Sequence, residues 1–248
     1  MESGLYAVYT GLLARTQALD TAANNLANAG TNGFRAQRDY FRGVLSSGLA
    51  VGQQGSQVGE SVNGFGVLGG SKADFGQGVT IATANPLDLA ISGEGFFAIQ
   101  TKQGIRYTRD GAFSESPLGQ MQTGAGEPVL DKNFNPITLP TGTVAVGGDG
   151  TVSVGDNVVA SLGLFSFATP GSLVMEGTNR FAAPAGMAAF AAPDSQVKQG
   201  AIEGANQDVV HGTMELILVQ RQAEMMQKAL TVFNNDFDKT ATEELGRV

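Results

Sequence analysis

The sequence predicts a mainly β central domain with N- and C-terminal α-helices that pair as a coiled-coil-like assembly domain. Each end carries apolar residues spaced three and four apart, which is the period of an amphipathic helix with a heptad seam. Between them, short alternating apolar runs are separated by turn dipeptides, which is the pattern of strands. Composition agrees: 35 of the 248 residues are Gly and only 15% are charged, which favours a turn-rich β body over a helical one.

At the N-terminus Leu5, Tyr9, Leu12, Thr16, Leu19, Ala23 and Leu26 make the seam, with Ser3 as its N-cap. Gly30 is expected to end this helix in the left-handed conformation, and Asn32-Gly33 to turn the chain before Phe34. Asn24, Asn25 and Asn28 are weak helix formers, so the last turns are expected to be held by partners. Residues 1–40 are thus an N-terminal assembly helix and turn. Residues 41–84 shift to Gly, Ser, Gln and Val and read as an extended linker with a few short strands.

Residues 85–198 form the expected β-rich outer domain. Leu87-Asp88-Leu89-Ala90-Ile91 alternates, and Gly93-Glu94-Gly95 turns into Phe96-Phe97-Ala98-Ile99-Gln100. Lys102-Gln103-Gly104 is a hairpin loop, and Gly147-Gly148-Asp149-Gly150 is a second one between two Val-rich strands. Residues 158–167 read as one further alternating strand. The period reverts in 199–248, where Leu216, Val219, Ala223, Met226, Leu230, Phe233 and Phe237 form the C-terminal seam after a cap at Asp208. Ile217, Leu218, Met225 and Val232 lie off that seam, so this helix is expected to touch more than one neighbour. A single pairing of the two helices barely offsets the backbone entropy of ordering them, so the ends are expected to order on assembly.

Several function classes are disfavoured. A net charge of −8 and a pI near 4.6, with basic residues scattered singly, give no footprint for nucleic acid. There is no Cys and one His, which excludes a disulfide and a thiolate nucleophile and would require a transition-metal site to be nearly all carboxylate, an unfavourable donor set. No apolar run reaches the ~18 residues of a membrane span, and the first residues lack the basic and apolar regions of a secretory leader. We therefore expect no catalytic, cofactor-binding or metal residues.

Three blocks resemble the rod and hook family of the bacterial flagellum. They are Asn24-Asn25-Leu26-Ala27-Asn28 with Thr31-Asn32-Gly33-Phe34-Arg35; Pro86-Leu87-Asp88-Leu89-Ala90-Ile91-Ser92-Gly93-Glu94-Gly95-Phe96-Phe97 with Tyr107-Thr108-Arg109-Asp110-Gly111-Ala112-Phe113; and Gln199-Gly200-Ala201-Ile202-Glu203-Gly204-Ala205-Asn206, leading to Gln220-Arg221. The resemblance covers both ends and the middle. Phe34-Arg35-Ala36-Gln37 and the run from Arg221 to Lys228 look most like the proximal rod, with the distal rod or a hook-type axial protein as the alternative. Ala205, Gln207 and His211-Gly212 depart from the family pattern, the last pair being expected to interrupt the helix start.

The resemblance implies a non-enzymatic structural subunit of the basal-body rod in the periplasm. Its terminal helices would polymerise into a torque-transmitting axial tube with the β domain outside. Its partners would be other rod and axial proteins, further copies of itself, and the flagellar type III export apparatus, by which it would leave the cell without a cleaved signal peptide. Nucleic acid and membrane insertion would play no part. Assembly residues carried over are Leu5, Leu12, Leu19, Asn24, Asn25, Leu26, Asn28, Gly33 and Phe34 at one end, and Asn206, Leu216, Val219, Arg221, Met226, Leu230, Phe233 and Phe237 at the other.

Other signals weigh less. Gly93-Glu94-Gly95 is followed by strand, so it offers no helix N-terminus to a phosphate. Gly147-Gly148-Asp149-Gly150 with Asp156 is a single copy of what would have to be a stacked calcium repeat. Glu94, Asp110 and Glu115 are the carboxylates that a secreted β-rich carbohydrate-active enzyme, the alternative of another class along with an adhesin, would use. His211 has no nucleophile context. Deleting 1–40 and 205–248 is expected to leave a folded β core.

Overall fold

The computed structural model describes residues 2–42 and 67–245, with side chains described for 9–40, 69–232 and 235. The chain forms two compact units, one comprising 1–26, 37–72 and 209–248, the other 27–36 and 73–208. Most of the expected linker lies outside the described residues.

The helical unit contains α1 (Glu2–Ala27), strands β1 (Gln37–Arg42) and β2 (Val67–Ala73), which pair, and α2 (Val209–Leu245). Both expected terminal helices are present. The side of α1 that is covered is not the leucine heptad. It is Ala14, Ala18, Ala22 and Asn25, while Leu12, Leu19 and Leu26 are half-buried and Tyr9, Thr16 and Ala23 exposed. Small residues let neighbouring elements approach closely: a Cβ added at Gly11 would stand 3.7 Å from Met226 Cε. Of the late asparagines, Asn25 is held within the chain. Asn25 Nδ2 donates to the Gln37 carbonyl and its Oδ1 accepts from the Gln37 N–H, both at 2.8 Å. Thr21 Oγ1 donates to Asp39 at 3.1 Å, opposing the burial that pushes the Asp39 carboxyl above its ordinary value.

Two helix-end expectations are corrected. Gly30 does not take a left-handed conformation, whereas Gly33 does, with φ of 68°. His211-Gly212 does not interrupt α2, which runs from Val209 through both.

The second unit is antiparallel in every described strand pair. Its strands are β3 (Thr80–Ala82), β4 (Leu89–Ser92), β5 (Phe96–Thr101), β6 (Gly104–Thr108), β7 (Phe113–Glu115), β8 (Met121–Thr123), β9 (Val144–Val146), β10 (Thr151–Val154), β11 (Asn157–Ser161), β12 (Leu164–Ser166), β13 (Val174–Glu176), β14 (Arg180–Ala182), β15 (Phe190–Ala191), β16 (Gln196–Gln199) and β17 (Ala201–Glu203). The main sheet has the order β13-β14-β6-β5-β12-β15, a smaller one β11-β10-β9, and β16-β4, β17-β3 and β7-β8 are pairs. The two hairpin loops are where the sequence puts them, at Lys102-Gln103 between β5 and β6 and at 147–150 between β9 and β10. Residues 158–167 are two strands, not one: β11 belongs to the smaller sheet and β12 to the larger.

Strand β5 lies between two cores. Phe97 and Ile99 point into one with Leu89, Phe113 and Met121, while Phe96 and Ala98 point into the other with Tyr107, Phe165 and Phe181. The strand period of two separates the two pairs, and burial on both sides explains a nearly unbroken apolar run. Leu89, Ala90 and Ile91 of β4 are likewise all buried, so the alternation read there does not mark a solvent face. Edge-to-face rings knit each core, Phe97 with Phe113 at 5.1 Å and Tyr107 with Phe167 at 4.8 Å.

Phe97→Ala is therefore expected to cost about 3–5 kcal/mol, because it removes a fully buried ring from a packed core. Urea denaturation of the full chain, followed through the β unit, measures it. A loss under about 1 kcal/mol would contradict the packing described.

Candidate functional site

The candidate site has two parts, an apolar surface on α2 and a buried polar junction in the β unit. On α2 the expected seam faces inward: Ala223 is buried and Leu216, Val219, Met226 and Leu230 are half-buried. Arg221 is exposed, and the side chains of Phe233 and Phe237, like that of Leu5, lie outside the described residues. At 100° per residue, a second stripe of Val210, Met214, Leu218, Met225 and Val232 falls almost opposite the first, and each of these is more than half exposed. Ile217 flanks it. Four of these six residues stand out in the sequence as lying off the seam; the exposure of the whole line does not follow from spacing alone. On α1, Tyr9 and Leu13 are exposed and Leu12 and Leu19 half-buried.

The junction brings together one piece of each block read from the sequence. Glu203, on β17, is fully buried. Its Oε1 accepts from Arg35 Nη2 at 2.6 Å and from the Gly78 N–H at 2.7 Å, and its Oε2 accepts from Arg109 Nη1 at 3.0 Å. Arg35 is also fully buried and Arg109 nearly so. Arg109 Nη2 donates to the Gly93 carbonyl at 2.7 Å, and its guanidinium lies 5.5 Å from the Phe96 ring centre. Burial pushes the Arg109 guanidinium below its ordinary value; Glu203 opposes this and Arg35 adds to it. Two guanidiniums and one carboxylate leave a buried excess of one positive charge, and the Nε of each arginine has no partner. Such a cluster is costly to bury and costlier to break.

Backbone contacts close the junction. The Gly33 N–H donates to the Glu203 carbonyl at 2.8 Å, and a Cβ at Gly33 would overlap the Asp110 backbone nitrogen. Gly33 therefore meets two demands, a left-handed φ and a close approach, that no other residue satisfies. Asn206 ties three segments: its Oδ1 accepts from the Ala36 N–H at 2.7 Å, and its Nδ2 donates to the carbonyls of Asp74 at 2.7 Å and Gly76 at 3.1 Å. Asn179 Nδ2 donates to Asp110 at 2.9 Å and to the Asn32 carbonyl at 3.3 Å. Burial raises the Asp110 carboxyl, against hydrogen bonds from Ala112 and Asn179. Phe34 is fully buried, Asn28 half-buried and Asn24 exposed.

Of the residues expected to mediate assembly, Gly33, Phe34 and Asn206 thus belong to the chain's own junction. Arg35, Arg109 and Glu203 were missed as a group, although each stands in a quoted block. The cleft beside the junction, about 250 Å³ and lined by residues including Asp110, Glu127, Asn179 and Arg180, has its Glu127 and Arg180 paired with each other. Among the described residues, no group of three or more His, Cys, Asp or Glu could hold a metal, and no helix is long and apolar enough to cross a membrane.

The chain is similar in sequence to known proteins. Residues 5–35, ending on the junction arginine, match the model of the flagella basal body rod protein family, and residues 90–154 match that of the flagellar hook protein FlgE/F/G D1 domain. The chain is 34% identical over 250 residues to the flagellar basal-body rod protein FlgF of Caulobacter vibrioides, with all of both chains covered. It is 34% identical over 244 residues to FlgF of Escherichia coli, covering 91% of this chain and 93% of that one. With the flagellar basal-body rod protein FlgG of Bacillus subtilis the identity is 31% over 250 residues, covering 93% and 95%.

The charge count orders three substitutions. Glu203→Gln leaves two guanidiniums without a counter-charge and is expected to cost about 3–5 kcal/mol, whereas Arg35→Met or Arg109→Met leaves a one-to-one pair and costs less. Urea midpoints of the three variants test the order; equal losses would refute it. Removing 1–26 and 209–248 should preserve cooperative unfolding of the β unit, while trimming on to residue 40 removes Arg35 and should lower its midpoint.

Proposed function

We propose, for a chain that belongs to the flagellar basal-body rod family and is a structural subunit of the rod, that it polymerises through the exposed faces of its terminal helices. It acts in the flagellar basal body, alongside other rod proteins. The observation that carries the proposal is the two-sided α2. Its inner stripe is covered within the chain, and its outer stripe presents Met214, Leu218, Met225 and Val232 to solvent in a line. An aligned apolar face of this length loses its contact with water when neighbouring helices cover it. Its occupants are the terminal helices of adjacent rod subunits, which the family supplies in quantity.

Leu12 and Leu19, half-buried on α1, offer a second partly exposed apolar line, and pairing across subunits is coiled-coil-like through these heptads. The junction lies in the β unit and forms no part of the assembly surface. We place the subunit in the proximal rod on the Phe34-Arg35-Ala36-Gln37 and 221–228 segments, and we assign its export to the flagellar type III apparatus on the strength of the family. The role is mechanical and not enzymatic; it involves neither nucleic acid nor insertion into a membrane.

Leu218→Asp changes a side chain that is 57% exposed, so the variant is expected to fold and be exported normally yet fail to enter the rod. Ala223→Asp, on the covered side, is expected instead to destabilise the chain itself by about 2–4 kcal/mol. Immunoblots of purified basal bodies and swimming in soft agar read the first effect, and urea denaturation the second. Full rod incorporation of Leu218→Asp would overturn the assembly surface assigned here.

A further inference from the structure

We infer that the outer stripe of α2 is a site of reversible methionine oxidation, and that its two thioethers set whether an unassembled subunit can enter the polymer; this rests on the assembly surface proposed above. Met214 is 54% exposed and Met225 62% exposed. They stand eleven residues apart, close to three full turns, so both sulfurs lie on one line of the helix about 16 Å apart with Leu218 between them. The other described methionines are placed differently. Met121 is fully buried, Met175 and Met187 pack against the second core, and Met226 is turned inward toward Gly11.

Susceptibility to oxidation follows exposure, and the product changes the chemistry of the surface. The reactant is a peroxide. One peroxide oxygen bonds to the thioether sulfur as the O–O bond breaks; sulfur gives up two electrons, the peroxide is reduced, and water leaves. Each thioether becomes a sulfoxide, a strong acceptor that an apolar helix–helix contact leaves unsatisfied. Two such groups on one stripe, flanking Leu218, convert an apolar line into a polar one. Burial of the stripe by neighbouring helices removes both sulfurs from the oxidant, so the sensitive state is the free subunit, and a methionine sulfoxide reductase restores it.

Two experiments decide the matter. The purified full chain is treated with hydrogen peroxide and followed by peptide mass spectrometry; Met214 and Met225 should be converted roughly tenfold faster than Met121, Met175 and Met187. Equal rates would overturn the inference. In cells, Met214→Leu/Met225→Leu keeps the stripe apolar and should enter the rod normally, while Met214→Gln/Met225→Gln carries a polar side chain like the sulfoxide and should lower incorporation at least roughly tenfold with unchanged circular dichroism. Full incorporation of the Gln variant while Leu218→Asp is excluded would overturn the oxidation site and leave the assembly surface standing. Full incorporation of both would overturn the assembly surface with it.

Discussion

Glu203 holds two arginines at once, and the docking of both outer segments onto the β unit depends on that carboxylate. Arg35 arrives with residues 27–36, Glu203 with β17, and Arg109 from the end of β6. Each arginine alone would be an uncompensated buried cation, and Glu203 alone an uncompensated buried anion. The favourable state is the one with all three in place, so electrostatics makes the docking of separate segments a joint event. Gly33, Asn206 and Asn179 then fix the backbone around the cluster through hydrogen bonds that involve main-chain groups on nearly every side.

The β unit was legible where local chemistry decides structure. Gly-containing loops after Gln103 and around Asp149 mark hairpins because short loops there need special backbone conformations, and those hairpins are found where expected. Legibility failed where sheets diverge. Residues 158–167 alternate without interruption, yet β11 and β12 join different sheets, a choice made by the rest of the fold and not by the run itself. Likewise β4 and β5 are buried on both sides, which no period of two reveals.

At the ends, periodicity identified both helices and the inward stripe of α2, but on α1 the line covered within the chain is not the leucine heptad. Leu at every seventh position is a strong signal, and an alanine line at positions 14, 18 and 22 is a weak one. The chain covers the alanines because they permit close approach, and it leaves the leucines half-exposed. The junction escaped notice for a different reason. Three charged residues separated by many positions carry no periodicity, and an arginine in a sequence gives no sign that it will be buried. Only the coincidence of Arg35, Arg109 and Glu203 with the three quoted blocks hinted at a common place.

The sequence separations in the junction set an order of events. Arg35 and Glu203 are 168 positions apart, and Arg109 and Glu203 are 94 apart. A chain that emerges from its N-terminus can close the β5–β6 hairpin as soon as residue 108 is free, since that loop is short. It cannot neutralise either arginine until residue 203 has also emerged. Closing so large a loop is slow compared with hairpin formation. Arg35 therefore waits for its counter-charge through most of the chain's emergence, and the last β-strand, β17, is the step that completes the junction.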